Sequence, residues 1–505
     1  MPIPRQDHLT INTFKGVNLS DPSHVIDDKE FASIENLIIS DTGDLIRRRP
    51  LRYFAEGSDQ VACYPIAIWY NRLIWFHVNS QTLFMSQVNT FVGGTFKSQV
   101  LSDEIFNLGV LYNKEMYFFT ATLPSIIKIS VSSWDIDAPT LTETTFSVNA
   151  CEDITCAVVF KDRLFVTKGV EEKTSDVAYS EIADLTNFPV NNILKVSPGD
   201  GDYITCIVPF GERLFIFKKY STWVLIPAAL PSSWVVKLFD NSIGAISENC
   251  VVEKRGLLYV LAPRGLYRSD GVIYDYVGYP VEARFRDNIG TLSAGSISLV
   301  DDDLFIRTNI ASIGSWMYNP IQNAWTEQKF PTLGSDVLTV GRQGYLLSGK
   351  RRTWFGSKDI LWMDLTDPDL PTNEDYSDYT LHNAVAGSRV ITPIHTAFET
   401  KAWDNGNFFR TKRHKYSTIE ITVPPGGSTD AEFHTHYNFD RALVSETHEF
   451  RVGLTERGTM AHKIPGTGYN RRLQLSFDTD TTLDYMITGY DLDYFNKRTL
   501  SENPE

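Results

Sequence analysis

Two stretches of this chain are near copies of one another, and they restrict its fold more than any other feature. Residues 153–166 read DITCAVVFKDRLFV and residues 203–216 read YITCIVPFGERLFI, in a single register. Cys156 matches Cys206, Phe160 matches Phe210, Arg163 matches Arg213 and Leu164 matches Leu214. Each copy is an apolar run, a short polar turn (Lys161-Asp162 or Gly211-Glu212) and a second apolar run, which is the pattern of a β-hairpin. Looser copies follow the same plan: NRLIWF at Leu73, KEMYFF at Met116, RGLLYV at Leu258, DDLFIR at Leu304 and QGYLLS at Leu346. With Leu164 and Leu214 these make seven copies at steps of 42 to 50 residues.

Several copies are followed by a third run that carries an aromatic residue, at Trp223, Tyr267, Trp316 and Trp362. A period of about 40–50 residues with four short strands in each repeat predicts an all-β chain built as a β-propeller. Such blades bury their faces only by stacking on one another. The repeat spans residues 56–363 and predicts six or seven blades, because a terminal copy can belong to a flanking sheet. A large β-sandwich with similar hairpins is the competing fold, and the near-regular steps speak against it. The Gly-His…Trp-Asp and paired-glycine marks of two common propeller families are missing.

The flanks differ from the repeat. Residues 1–55 are polar and weakly periodic, and they end in Arg47-Arg48-Arg49-Pro50. They predict an extended N-terminal arm that closes a blade or reaches a neighbouring subunit. Residues 364–392, rich in Asp and Pro, predict a linker. Residues 393–495 resume short alternating runs, with strands expected at Lys415–Val423, Ala431–Tyr437, Arg472–Phe477 and Tyr485–Tyr494. That spacing suits a C-terminal β-sandwich with its own core, able to fold separately, followed by a tail at 496–505.

Composition narrows the function classes. Of 505 residues, 12% are aromatic and 42% hydrophobic, enough for a large core. The net charge of -15 argues against a surface that wraps nucleic acid, since such a face is normally basic. Five cysteines (Cys63, Cys151, Cys156, Cys206, Cys250) form no CxxC pair and read as buried small hydrophobes in a reducing compartment. The first residues contain no apolar leader, and no run of about 18 apolar residues suggests membrane insertion. A soluble, unprocessed chain is the expectation.

Catalytic chemistry is hard to find in the sequence. His434 and His436 would share one face of a strand, with His448 nearby, but no supporting His/Cys cluster makes them a metal site. Asp301-Asp302-Asp303 reads as the lead-in of a hairpin. Pro198-Gly199-Asp200-Gly201-Asp202 lacks both a phosphate-binding Lys and the EF-hand spacing. The expectation is therefore no catalytic residue, no cofactor and no metal: not an enzyme. Three basic clusters remain as candidate interface residues: Arg47, Arg48 and Arg49; Lys350, Arg351 and Arg352; Arg410, Lys412 and Arg413. They read as solvated turns or as ion-pair partners at a subunit interface.

Several stretches together resemble the tail nozzle or tail-hub (stabilisation) proteins of short-tailed bacteriophages. They are the course from Phe14-Lys15-Gly16-Val17-Asn18 through Ala32–Asn36 to Gly43–Pro50; the stretch Tyr179-Ser180, Asp184–Pro189 and Gly199–Leu225; and Thr400-Lys401-Ala402-Trp403 with Phe408–Arg413. The resemblance implies a propeller-like body in a homohexameric ring below a head-to-tail adaptor protein, in the virion tail, after assembly in the host cytoplasm. It further implies tail fibre or tailspike partners and a central channel that passes DNA without specific binding. An acidic lumen suits that role, because it repels phosphates over a Debye length of about 8 Å. The alternative is a host-glycan-binding or glycan-cleaving propeller that stacks sugars on tryptophans such as Trp134 or Trp325.

Overall fold

The turns of the repeat set the register of its hairpins. Lys161 and Asp162 take φ of 49° and 57°, Asn113 and Lys114 take 47° and 69°, and Arg255 and Gly256 take 51° and 76°. Left-handed backbone at both central positions matches the right-handed twist of the flanking strands. Each pair therefore closes a tight antiparallel hairpin, with Phe160 opposite Arg163, Tyr112 opposite Glu115 and Lys254 opposite Leu257. The computed structural model describes residues 6–49, 105–120, 156–167, 175–288, 312–330, 389–403 and 485–496 as continuous stretches, and elsewhere the individual strands with a few isolated positions.

Seven units of four antiparallel strands result. Blade one begins at Cys63–Trp69, blade two at Ile105–Tyr112, blade three at Ala157–Phe160 and blade four at Ile204–Phe210. Blade five begins at Val251–Lys254, blade six at Gly295–Val300 and blade seven at Gly341–Tyr345. These first strands stand side by side in succession, and the strand of blade seven returns to that of blade one. The ring is closed, and the expected propeller has seven blades. The repeated apolar positions fill it: Leu73, Met116, Leu164, Leu214 and Leu258 are fully buried.

The seventh copy is shifted by one strand from its expected place. QGYLLS was expected to be a second strand; Gly341–Tyr345 is the first strand of blade seven, and Leu346 lies outside the described residues. The second and third strands are Arg351–Gly356 and Ile360–Asp364. The fourth comes from the other end of the chain: Leu51–Glu56 pairs antiparallel with Ile360–Asp364, so the N-terminal segment closes the last blade.

The rest of that segment is not an extended arm. Gln6–Ile11 and Leu45–Arg47 both pair with Met486–Asn496, and Glu30–Glu35 pairs with Thr396–Thr400. One face of the resulting C-terminal sandwich holds Lys412–Val423, Gly458–Pro465 and Met486–Asn496; the other holds Thr396–Thr400, Leu473–Thr479, Ala431–Phe439 and Glu446–Val452. Phe14, Phe31, Phe398, Phe477, Trp403 and Tyr490 pack between them. Alternating residues and proline-rich breaks predicted the C-terminal strands, whereas their N-terminal partners are brought in by long-range pairing alone. Nor is 364–392 only a linker, since Ser377–Leu381 and Arg389–Pro393 form a hairpin that widens the sheet of blade seven.

Asn36 fastens sandwich to propeller. It is buried and left-handed (φ 55°), a conformation Asn tolerates better than most residues. Its side chain donates to the carbonyl of His395 (2.7 Å) and accepts from the Lys329 amide (2.7 Å) and from Nε of Arg48 (2.9 Å). Gly16 is a second point of close approach. A Cβ there would stand 2.7 Å from the backbone of Trp325, so only glycine lets this segment lie on blade six.

Candidate functional site

Arg47 and Arg48, two of the candidate interface arginines, lie inside the protein. Arg47 and Arg48 are 1% and 0% exposed, which removes them from any outward-facing patch. Arg47 donates to the carbonyl of Ile394 (3.0 Å) and lies over the ring of Tyr485. Arg48 donates to Asn36 and to the carbonyl of Lys329 and stacks over Phe330 at 4.6 Å. Arg49 is half-buried beside them, and its carbonyl accepts from Arg48. A guanidinium delivers several donors in a fixed fork, which suits it to gathering carbonyls from three separate segments. Arg352 is also buried, in the second strand of blade seven. Arg351, Lys412 and Arg413 lie in strand ladders, opposite Tyr345, Asn470 and Tyr469 respectively, with side chains outside the described part. Lys350 and Arg410 lie outside the described residues altogether.

Other sequence candidates resolve as structure. Asp200 of the glycine–carboxylate loop pairs at 2.6 Å with Lys218, whose side chain is fully buried. Burial alone would raise the Asp200 carboxyl, but hydrogen bonds from Lys218 and the Asp202 amide hold it below its ordinary value. Asp202 accepts from the amides of Lys219 and Tyr220 and so closes the turn that follows blade four's second strand. Trp325, considered as a sugar platform, is fully buried; it packs on Tyr318 and donates to the carbonyl of Val277. Trp134 and Asp301–Asp303 lie outside the described residues, as do the side chains of His434, His436 and His448. Among the described residues no group of three or more His, Cys, Asp or Glu is placed to hold a metal ion.

What the fold does bring together lies at the propeller axis, where the first strands begin. Cys156, Cys206 and Cys250 stand there on blades three, four and five, all free and buried, as expected for small apolar-like residues. The Cys156 sulfur accepts from the Ile207 amide (3.3 Å), and the Cys206 thiol donates to the carbonyl of Glu248 (3.2 Å). The neighbouring thiol of Cys156, followed by burial, holds the Cys206 thiol well above its usual range, and burial pushes Cys250 up to about 12. The Cys206 and Cys250 thiols stay protonated at neutral pH and are poor nucleophiles.

Arg342, from the first strand of blade seven, reaches past blade six to this group. Its Nη2 donates to Oδ1 of Asn249 on blade five (3.3 Å). Burial lowers the pKa of its guanidinium, against the opposing influence of Glu248, Cys156 and Cys206. Burial likewise raises the Glu248 carboxyl, and the charge of Arg342 only partly offsets it. Glu248 is exposed and Arg342 half-buried, and the Asn249 side chain joins them by donating its amide to the Glu248 carboxylate (3.2 Å). Sequence reading missed Arg342 and Glu248. The one available signal was that Glu248-Asn249-Cys250 precedes blade five as Cys156 precedes blade three.

No protein-family model matches the chain, and no curated protein matches its sequence. Solved structures similar to it include a streptogramin B lyase (10% identity, 63% of this chain and 97% of that one, TM-score 0.45). Another is the extracellular domain of the putative one component system BT4673 from B. thetaiotaomicron (10% identity, 70% and 46%, TM-score 0.43). A third is the WD40 β-propeller domain of Doa1 (9% identity, 62% and 96%, TM-score 0.38).

Proposed function

We propose that this chain is a structural subunit of a bacteriophage tail, a nozzle or hub protein that forms a homohexameric ring beneath the head-to-tail adaptor. The observation that carries this reading is where the nozzle-like segments lie. Phe14 to Arg49 and Thr400 to Trp403 meet in one joint, where the Ala402 amide donates to Ser23, Lys401 pairs with Asp28 at 2.8 Å, and Phe14 stacks on Tyr490. Gly199 to Leu225 builds blade four and anchors it through Lys218. The segments that resemble a tail protein thus do the work of joining blades and sandwich into one stiff body, which is what a ring subunit under load requires.

The channel in this reading belongs to the ring of copies, and its acidic wall repels phosphate. Tail fibres or tailspikes would dock on the outside of the same ring, in the virion, after assembly in the host cytoplasm. Electron microscopy and sedimentation of the purified protein, alone and mixed with tail-less phage particles, test the proposal. The expected result is a sixfold ring of about six times 57.2 kDa, free or seated on the particle's portal vertex. A monomer in every condition that never binds particles would sink the idea.

A further inference from the structure

We propose that the interface between blades six and seven is an internal hydration site, in which ordered water bridges a row of buried polar side chains. The inference does not rest on the role in a phage tail. Blades three to six share one apolar cluster, running from Phe165 through Phe215 and Tyr259 to Trp316. The face that blade six turns to blade seven is different. Its second strand, Phe305–Ile310, carries Arg307 where three other hairpin copies carry Phe119, Phe217 and Leu261. Beside Arg307 on that face runs a row with one residue from each strand. Ser296 lies opposite Asn309, Asn309 opposite Ser315, and Ser315 opposite Gln328. All four are at most 6% exposed.

Two residues along the first strand, protein atoms suffice. Ser298 accepts from the Gly341 amide (2.7 Å), and Thr353 and Gln343 of blade seven donate to the Leu299 carbonyl (2.8 and 2.9 Å). The row is not satisfied in this way. Ser315 donates to Asn309 (2.6 Å), and Gln328 donates to the Leu37 carbonyl (3.3 Å) and to Thr326 (3.2 Å). The Ser296 hydroxyl, the Asn309 amide nitrogen and the Gln328 side-chain carbonyl are fully buried, and none of the described residues offers them a partner. Buried polar groups are costly to leave unmatched, and internal water makes about three hydrogen bonds to groups of this kind. The amide nitrogen only donates, the carbonyl only accepts and the hydroxyl does either, so the row needs a ligand that can do both. Water does both in the smallest volume. Adjacent strands stand about 4.8 Å apart, so one water serves Ser296 and Asn309 together and a second serves Gln328.

A high-resolution crystal structure of the intact chain tests the site directly. Density for water is expected at about 2.7–3.2 Å from the Ser296 hydroxyl and the Asn309 amide, and again at the Gln328 carbonyl. Thermal unfolding of S296A is the independent readout, because this hydroxyl bonds to none of the described protein groups. With water bound, S296A takes away one of its partners and lowers the unfolding midpoint by about 1–2 °C in a chain of this size. A hydroxyl buried dry gains stability, or loses none, when it is removed. A midpoint of S296A at or above the parent's would therefore overturn the proposal. So would a structure in which apolar side chains fill the row and no water lies within hydrogen-bond distance of it.

Discussion

At the scale of single residues, burial turns the sequence's most conspicuous charges into structural parts. Asn36 shows the cost of replacing one. N36A removes an acceptor shared by Arg48 and the Lys329 amide and forces an alanine into left-handed backbone, which should destabilise by about 2–4 kcal/mol. N36G keeps the backbone and loses only the side chain, so it should be milder by about 1 kcal/mol; denaturant midpoints of the two variants separate the contributions. Lys218 and Asp200 carry a pH dependence. Because the Asp200 carboxyl sits below its ordinary value of 3.8 in the folded chain, its contribution is complete above that value and is lost as pH falls through the lower folded value. D200N should flatten this acid limb of the stability curve while costing about 3–5 kcal/mol at neutral pH, because it leaves the buried Lys218 ammonium without its anion. A stability curve unchanged below pH 4 would refute the assignment. Neither role was legible in sequence. A run such as Arg47-Arg48-Arg49 is usually solvated, and the groups that bury it, Ile394, Lys329 and Tyr485, lie hundreds of positions away.

At the scale of elements, legibility follows the range of the interaction. Hairpins are local, so their turns and apolar runs can be read directly, and six of the seven copies fall on the second strand of a blade. The seventh differs because the strand at QGYLLS, Gly341–Tyr345, is itself polar and stands first in its blade; only its pairing with Arg351–Gly356 reveals that position. The closing strand, Leu51–Glu56, could be anticipated only as one of two roles for the N-terminal segment, since its partner lies some three hundred residues on. It lies between Ile360–Asp364 on one edge and Ser377–Leu381 on the other, where proline is poorly tolerated. Y53P should therefore cost about 3 kcal/mol or more and open the ring at one seam. Hydrogen exchange is the informative measurement. Strands of blades one and seven should lose protection together while blades three to five keep theirs, and uniform loss would show that the seam does not unfold on its own.

At the scale of the whole molecule, the chain's two ends share one core, which argues that residues 393–495 need the N-terminal segment to fold. Of the seventeen buried sandwich-core residues among the described residues, Ile11, Phe14, Phe31, Ile34, Leu37, Ile39 and Leu45 come from the N-terminal segment, and Ala324 comes from blade six. Burying a large apolar side chain contributes about 1.5–3 kcal/mol, so these seven together supply on the order of 10 kcal/mol or more. That is comparable to the entire net stability of a typical domain, about 5–15 kcal/mol. A fragment of residues 389–496 should therefore lack cooperative unfolding and expose its core to hydrophobic dyes. Supplying residues 1–50 in trans restores only part of the missing face, because the joint through Asn36 also needs Lys329 and Glu327 of blade six. The fragment pair should regain strand signal by circular dichroism yet melt well below the intact chain. A fragment 389–496 that unfolds cooperatively alone, at the temperature of the intact protein, would mean that the interleaved ends decorate the sandwich and do not build it. The same interleaving makes the sandwich follow any displacement of blade six, because Glu30–Glu35 bridges the last strand of that blade to Thr396–Thr400. In the proposed tail role, this pairing would let a load on blade six pass directly into the sandwich.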